Sequence, residues 1–150
     1  MIQRIQTVFL LAALILIGCL FFIPFADLTA TGVYNFSLKG IASTSPGEVF
    51  QQPYWLTVMG LVNTVLVFVV IFLYKNRKLQ MNLTIVSLLL AVALNGAMYF
   101  LAGKYQDILK AEVKYNVVFV FPVIAAILLI MAYRYIRKDE LLIKSLDRLR

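Results

Sequence analysis

The chain has 150 residues, 63% apolar and only 14% charged, with a mean hydropathy of +0.92 and a net charge of +7. Soluble domains run near ~45–50% apolar and ~25% charged, so this composition belongs to a membrane protein of one domain, residues 1–150. Histidine is absent and cysteine occurs once, which excludes bis-histidine haem, histidine-centred zinc, Ser-His-Asp or Cys-His catalysis and an intrachain disulfide.

Distances between charges map the spans. Residues 5–26, 49–74, 79–103 and 115–133 carry no charge, giving runs of 22, 26, 25 and 19. A hydrocarbon core of ~30 Å needs about 20 apolar helical residues. Backbone in lipid must satisfy its own hydrogen bonds, and runs such as Leu66 to Leu73 do not alternate as barrel strands do. The pattern therefore predicts an all-α membrane protein, a bundle of four transmembrane helices at about 5–25, 54–74, 83–102 and 117–136.

Leu16-Ile17-Gly18-Cys19 in the first span fits the pattern before a lipoprotein cysteine. The apolar Leu20-Phe21-Phe22-Ile23-Pro24-Phe25 that follows suits a retained helix better than a polar tether. Cys19 then reads as a small packing residue. The external loop, about 27–53, contains Gly32, Gly40, Pro46, Gly47 and Pro53. Within it Tyr34, Phe36 and Leu38 alternate with Asn35, Ser37 and Lys39, and Val113 to Val117 alternate before the fourth span. This predicts a small extracytoplasmic strand pair or ribbon. The competing reading is irregular loop at headgroup level, with Tyr34, Tyr54, Trp55, Tyr99 and Tyr105 as an aromatic belt.

No ionisable residue lies within a span, so proton relays and charge-coupled transport lack their usual carriers. The polar residues there are Thr57, Asn63 and Thr64 in the second span and Ser87 and Asn95 in the third. Counted from the expected outer ends, Asn63 and Asn95 differ in depth by only ~3–4 Å, so an amide contact between them is expected. Small residues at Gly60 and Ala91 allow close helix approach.

Pro122 opens the fourth span, as a first helical residue or as a kink. No glycine or proline follows it, so one helix can run on into the tail, 137–150. Leu142, Leu146 and Leu149 line up with Tyr135, while Arg137, Glu140, Lys144, Asp147 and Arg148 take the opposite arc, which makes a C-terminal amphipathic helix. Such a stripe meets lipid, the 75–82 loop or another protein.

With the N-terminus inside, ten basic residues fall on the cytoplasmic side and four outside. The asymmetry predicts both termini in the cytoplasm of a bacterial inner membrane, multi-pass. Basic residues beside membrane helices serve topology and anionic headgroups, and nothing resembles a nucleic-acid module, so no nucleic-acid partner is expected.

Three stretches carry a resemblance: Met1 to Val8 at the start, Tyr74 to Gln80 between the second and third spans, and Ile136 to Arg150 at the close, of which Arg137-Lys138-Asp139-Glu140 and Asp147-Arg148-Leu149-Arg150 are the most specific. Around four apolar spans these resemble a Bacteroidota-restricted family of small inner-membrane proteins classed as a domain of unknown function. The resemblance implies no reaction, no catalytic residue and no cofactor. All three stretches fall on the expected cytoplasmic side.

The first functional expectation is a non-catalytic accessory or scaffold protein. Its surface for anionic lipid, a membrane-protein complex or a second copy would be Arg4, Lys75, Arg77, Lys78, Arg137, Lys138, Leu142, Leu146 and Leu149. The alternative is a carrier or channel for a small neutral solute or lipid, with a cleft near Asn63 and Asn95. A membrane enzyme is the weakest reading, and no metal or cofactor is expected.

Overall fold

A computed structural model describes residues 5–29, 33–43, 54–74, 76–110 and 112–147. Four helices form the body: α1 (Ile5–Cys19), α2 (Tyr54–Phe72), α3 (Arg77–Leu109) and α4 (Phe121–Asp147). Helices α2, α3 and α4 are long and apolar enough to cross a membrane; α1 is apolar but shorter. Each helix packs mainly on two neighbours, α1 and α3 each touching both α2 and α4, so the four form a ring.

The buried positions explain the ring. They run Gln6, Leu10, Ala13, Ile17 on α1; Leu56, Gly60, Asn63, Val67, Val70 on α2; and Gln80, Thr84, Ser87, Ala91, Leu94, Met98 on α3. On α4 they include Ala125, Leu129, Ala132 and Ile136. Steps of three and four alternate throughout, which is the 3.5-residue repeat of left-handed knobs-into-holes packing. The opposite faces carry exposed Leu11, Ile15, Val65, Phe68, Leu89, Val92, Ile127 and Ile130. Apolar side chains thus point both inward and outward, a pattern compatible with a membrane protein.

Helix α1 ends earlier than the expected 25. The Pro24 ring excludes the helical carbonyl four residues back and disfavours helix at Ile23. Leu20, Phe21 and Phe22 instead donate to the carbonyls of Ile17, Gly18 and Cys19 at 3.1–3.3 Å, and Ile23 also donates to Cys19 at 3.1 Å. The chain then enters a sheet.

That sheet is larger than the expected strand pair. Strands β1 (Ala26–Thr29), β2 (Val33–Ser37), β3 (Gly40–Ser43) and β4 (Glu112–Tyr115) form one antiparallel sheet in the order β3-β2-β1-β4. Register sets Ala26 between Phe36 and Tyr115, and Leu28 between Tyr34 and Val113. Ala26, Leu28, Tyr34 and Phe36 are buried against the end of the bundle, with Asp27, Asn35 and Lys114 on the other face. The β2–β3 turn closes through Gly40, whose φ of +153° few L side chains adopt. Tyr34 and Tyr105 therefore serve this packing rather than an aromatic belt, since Tyr105 meets Phe36 edge-on at 5.4 Å. Tyr54, Trp55 and Tyr99 remain exposed.

The third helix overshoots its expected limits of 83–102. At 33 residues it reaches about 50 Å. It stops where Lys110 adopts φ +46° and its N–H caps the Gln106 carbonyl, turning the chain back into β4. A 3-10 turn, Val117–Val120, leads into α4, so Pro122 falls in the first helical turn where a missing N–H costs nothing. Helix α4 then runs unbroken through Ile136 to Asp147.

Candidate functional site: a polar interior and a basic end

Two groups of residues stand apart from the apolar packing. One lies inside the ring and the other at the end remote from the sheet.

The interior group begins with Gln80 and Gln6, 2% and 4% exposed. Gln80 Nε2 donates to the Val70 carbonyl at 3.0 Å, tying α3 to α2. Thr84 Oγ1 donates back to the Gln80 carbonyl at 2.7 Å. The Gln80–Val70 bond also sets the antiparallel register. Seven residues on from each, about 10.5 Å along the axis, Ser87 on α3 and Asn63 on α2 reach the same depth on the same seam. Both are fully buried. Among the described residues, neither amide atom of Asn63 has a hydrogen-bond partner, nor do Ser87 Oγ, Gln6 Oε1 and Gln80 Oε1.

The expected contact between Asn63 and Asn95 is not made. Because α3 extends past 102, Asn95 lies eight residues beyond the depth of Asn63, about 12 Å towards the sheet. It also sits one position beside the seam residue Leu94, and its Nδ2 donates to the Phe119 carbonyl at 2.9 Å. Asn95 thus satisfies a carbonyl of the 3-10 turn, where regular helix bonding is lost.

Other polar side chains near the sheet act alike. Thr57 Oγ1 donates to the Leu38 carbonyl. Asn116 Nδ2 reaches the Pro24 carbonyl at 3.3 Å and Asp27 Oδ2 at 3.0 Å. Gly60 completes the fit, since an added Cβ would sit 3.0 Å from Leu38 Cδ1 and 3.3 Å from Phe21 Cζ. Spacing alone did not announce Thr57 or Asn116 as anchors, because the carbonyls they meet belong to distant segments.

At the other end, Arg77 is half-buried at the start of α3 and Lys78 is exposed. Arg134, Arg137 and Lys138 are exposed on α4, as are Leu141 and Leu142. Phe9 stacks on Tyr135 at 5.5 Å, fixing α1 to α4 where α4 leaves the bundle. Arg4, Lys75 and Leu149 lie outside the described residues; Leu146 falls within α4, its side chain outside them.

Compared with known proteins, residues 2–149 match the family model described as Domain of unknown function (DUF4293). No curated protein matches the chain.

Proposed function

Starting from the fact that the chain belongs to the family described as a domain of unknown function (DUF4293), we propose that it is a four-span inner-membrane protein with both termini cytoplasmic. In this reading it is non-catalytic and holds anionic lipid or a larger membrane assembly through its basic end. The observation that carries this is the distribution of exposed side chains. Apolar residues cover the outside of the ring, while Arg77, Lys78, Arg134, Arg137 and Lys138 gather at one end beside exposed Leu141 and Leu142. Clustered lysine and arginine at helix ends favour the cytoplasmic side and attract anionic headgroups.

Helix α1 supports the fourth span despite its length. Its 15 residues supply about 22 Å. Four further residues in turn geometry add roughly 8 Å at ~2.0 Å each, which brings the hydrogen-bonded path to the ~30 Å of a hydrocarbon core. The carrier alternative with a cleft at Asn63 and Asn95 is weakened, because the Asn95 amide is engaged at Phe119.

Truncation after Ile136 tests the proposal. The shortened protein should keep its thermal midpoint in mild detergent yet lose co-purifying phosphatidylglycerol or cardiolipin, as read by mass spectrometry. Arg137→Gln with Lys138→Gln should lose the same lipids without shortening the helix. Equal lipid and protein recovery from all three forms would refute the reading.

A further inference from the structure

The interior polar group has no part in the reading of the tail. We propose that Gln6, Gln80, Thr84, Ser87 and Asn63 form a half-column that admits water from the basic end and holds a water-sized, neutral hydrogen-bonding molecule at Asn63 and Ser87.

Four observations carry it. First, five of the six buried polar atoms without a partner among the described residues are grouped: Gln6 Oε1, Gln80 Oε1, Ser87 Oγ and both amide atoms of Asn63 lie on the seam of three helices, while the sixth, Asp27 Oδ1, is at the sheet end. Buried polar groups nearly always have partners, so such a grouping marks a place where a ligand completes the bonding. Second, the group has a direction. It starts at Gln6 and Gln80, near exposed Asn76 and Lys78, and ends at mid-bundle. Beyond it Ile17, Leu56, Leu94 and Met98 close the sheet side, each fully buried. Third, the chemistry is neutral and rich in acceptors. At Asn63 and Ser87 the unpartnered atoms are an amide oxygen, an amide nitrogen and a hydroxyl that both donates and accepts, and the unpartnered oxygens of Gln6 and Gln80 lie about 10.5 Å nearer the basic end. A small molecule that both donates and accepts, as water does, can bond Asn63 and Ser87, with further waters at Gln6 and Gln80, and none of these residues is ionisable and able to hold a charged ligand. Fourth, α1 presents a small residue at the depth of Asn63 and Ser87: Ala13, seven residues on from Gln6, is fully buried, while Leu10, Val67 and Leu129 belong to the same cluster.

Cysteine reactivity tests this, because only a hydrated thiol ionises and reacts. In a Cys19→Ala background reconstituted in phosphatidylethanolamine–phosphatidylglycerol liposomes, Asn63→Cys and Ser87→Cys are exposed to aqueous silver ion. Modification is read as protection from later maleimide labelling after denaturation. Both should react at least about tenfold faster than Ala91→Cys and Ala125→Cys, which keep small side chains in the dry part of the core. Ser87→Ala provides a second readout, since it deletes only the hydroxyl. Its thermal midpoint falls if that hydroxyl is bonded to water and rises if it is dry. Labelling at 63 and 87 no faster than at 91 and 125, or a midpoint that rises, overturns the proposal. Truncation after Ile136 leaves both readouts unchanged, so this idea and the tail reading fail separately.

Discussion

The two ends of the bundle differ in how fully their polar side chains are engaged, although Asp27 Oδ1 at the sheet end lacks a partner among the described residues and Gln80 Nε2 at the other end donates to the Val70 carbonyl. At the sheet end, Thr57, Asn95 and Asn116 all donate to backbone carbonyls of irregular segments, and Asn116 also holds Asp27. In the half nearer the basic end, Gln6, Asn63, Gln80 and Ser87 keep buried atoms with no partner among the described residues. The packing differs in parallel. Large side chains fill the sheet-end core, with Phe25, Phe36, Leu56, Leu94 and Met98. The other core is rich in alanine, with Ala13, Ala91, Ala125, Ala126 and Ala132. The comparison teaches that a polar residue in an apolar setting is structural where the backbone breaks its own bonding pattern. Inside continuous helices, where the backbone is already satisfied, the same residue is left with unused bonding capacity.

Mutations can break or sharpen this contrast. The largest effect is expected for Asn116→Ala, which strips Asp27 Oδ2 and the Pro24 carbonyl of a donor. It should cost about 3 kcal/mol in detergent unfolding, since a bond to a charged group is lost. Gly60→Leu should cost about 2 kcal/mol by forcing Leu38 and Phe21 away from α2, and the loosening should show as faster proteolysis of the sheet. Asn95→Leu removes one bond to the 3-10 turn, with an expected loss of about 1 kcal/mol by thermal melt. Thr84→Val should be nearly silent, within ~0.5 kcal/mol, because its hydroxyl only adds a second donor to a helical carbonyl. If Thr84→Val proved as costly as Asn116→Ala, the division between the two ends would not hold.

Much of the architecture was legible in the charge gaps. The 54–74 span and the run of the last helix into the tail match α2 and α4 closely, because charge in hydrocarbon is costly enough to leave its mark on composition. The alternation of Tyr34, Phe36 and Leu38 pointed correctly to a strand with one buried face. Its partners were harder to see. Strand β1 begins at Ala26, the last residue of an uncharged run that reads as membrane, and it pairs with β4 more than eighty residues away. The polar seam was only partly visible. Asn63 and Ser87 were noted, but Gln6 and Gln80 sit at helix ends where glutamine ordinarily reads as solvent-facing.

Composition and the spacing of charges settled by themselves that apolar helices dominate, that histidine-based chemistry has no residue to use and that a disulfide within this sequence is impossible. These are local properties, since each residue's cost of transfer into hydrocarbon counts without reference to its neighbours. Which amide meets which carbonyl was decided only by the assembled molecule. The overshoot of α3 and the Gln80–Val70 bond shift one helix along another, and eight residues of offset, about 12 Å, are enough to part Asn63 from Asn95 and set it level with Ser87. Hydrogen bonds are satisfied over about 3 Å, so their partners follow from register between helices, and register is a property of packing.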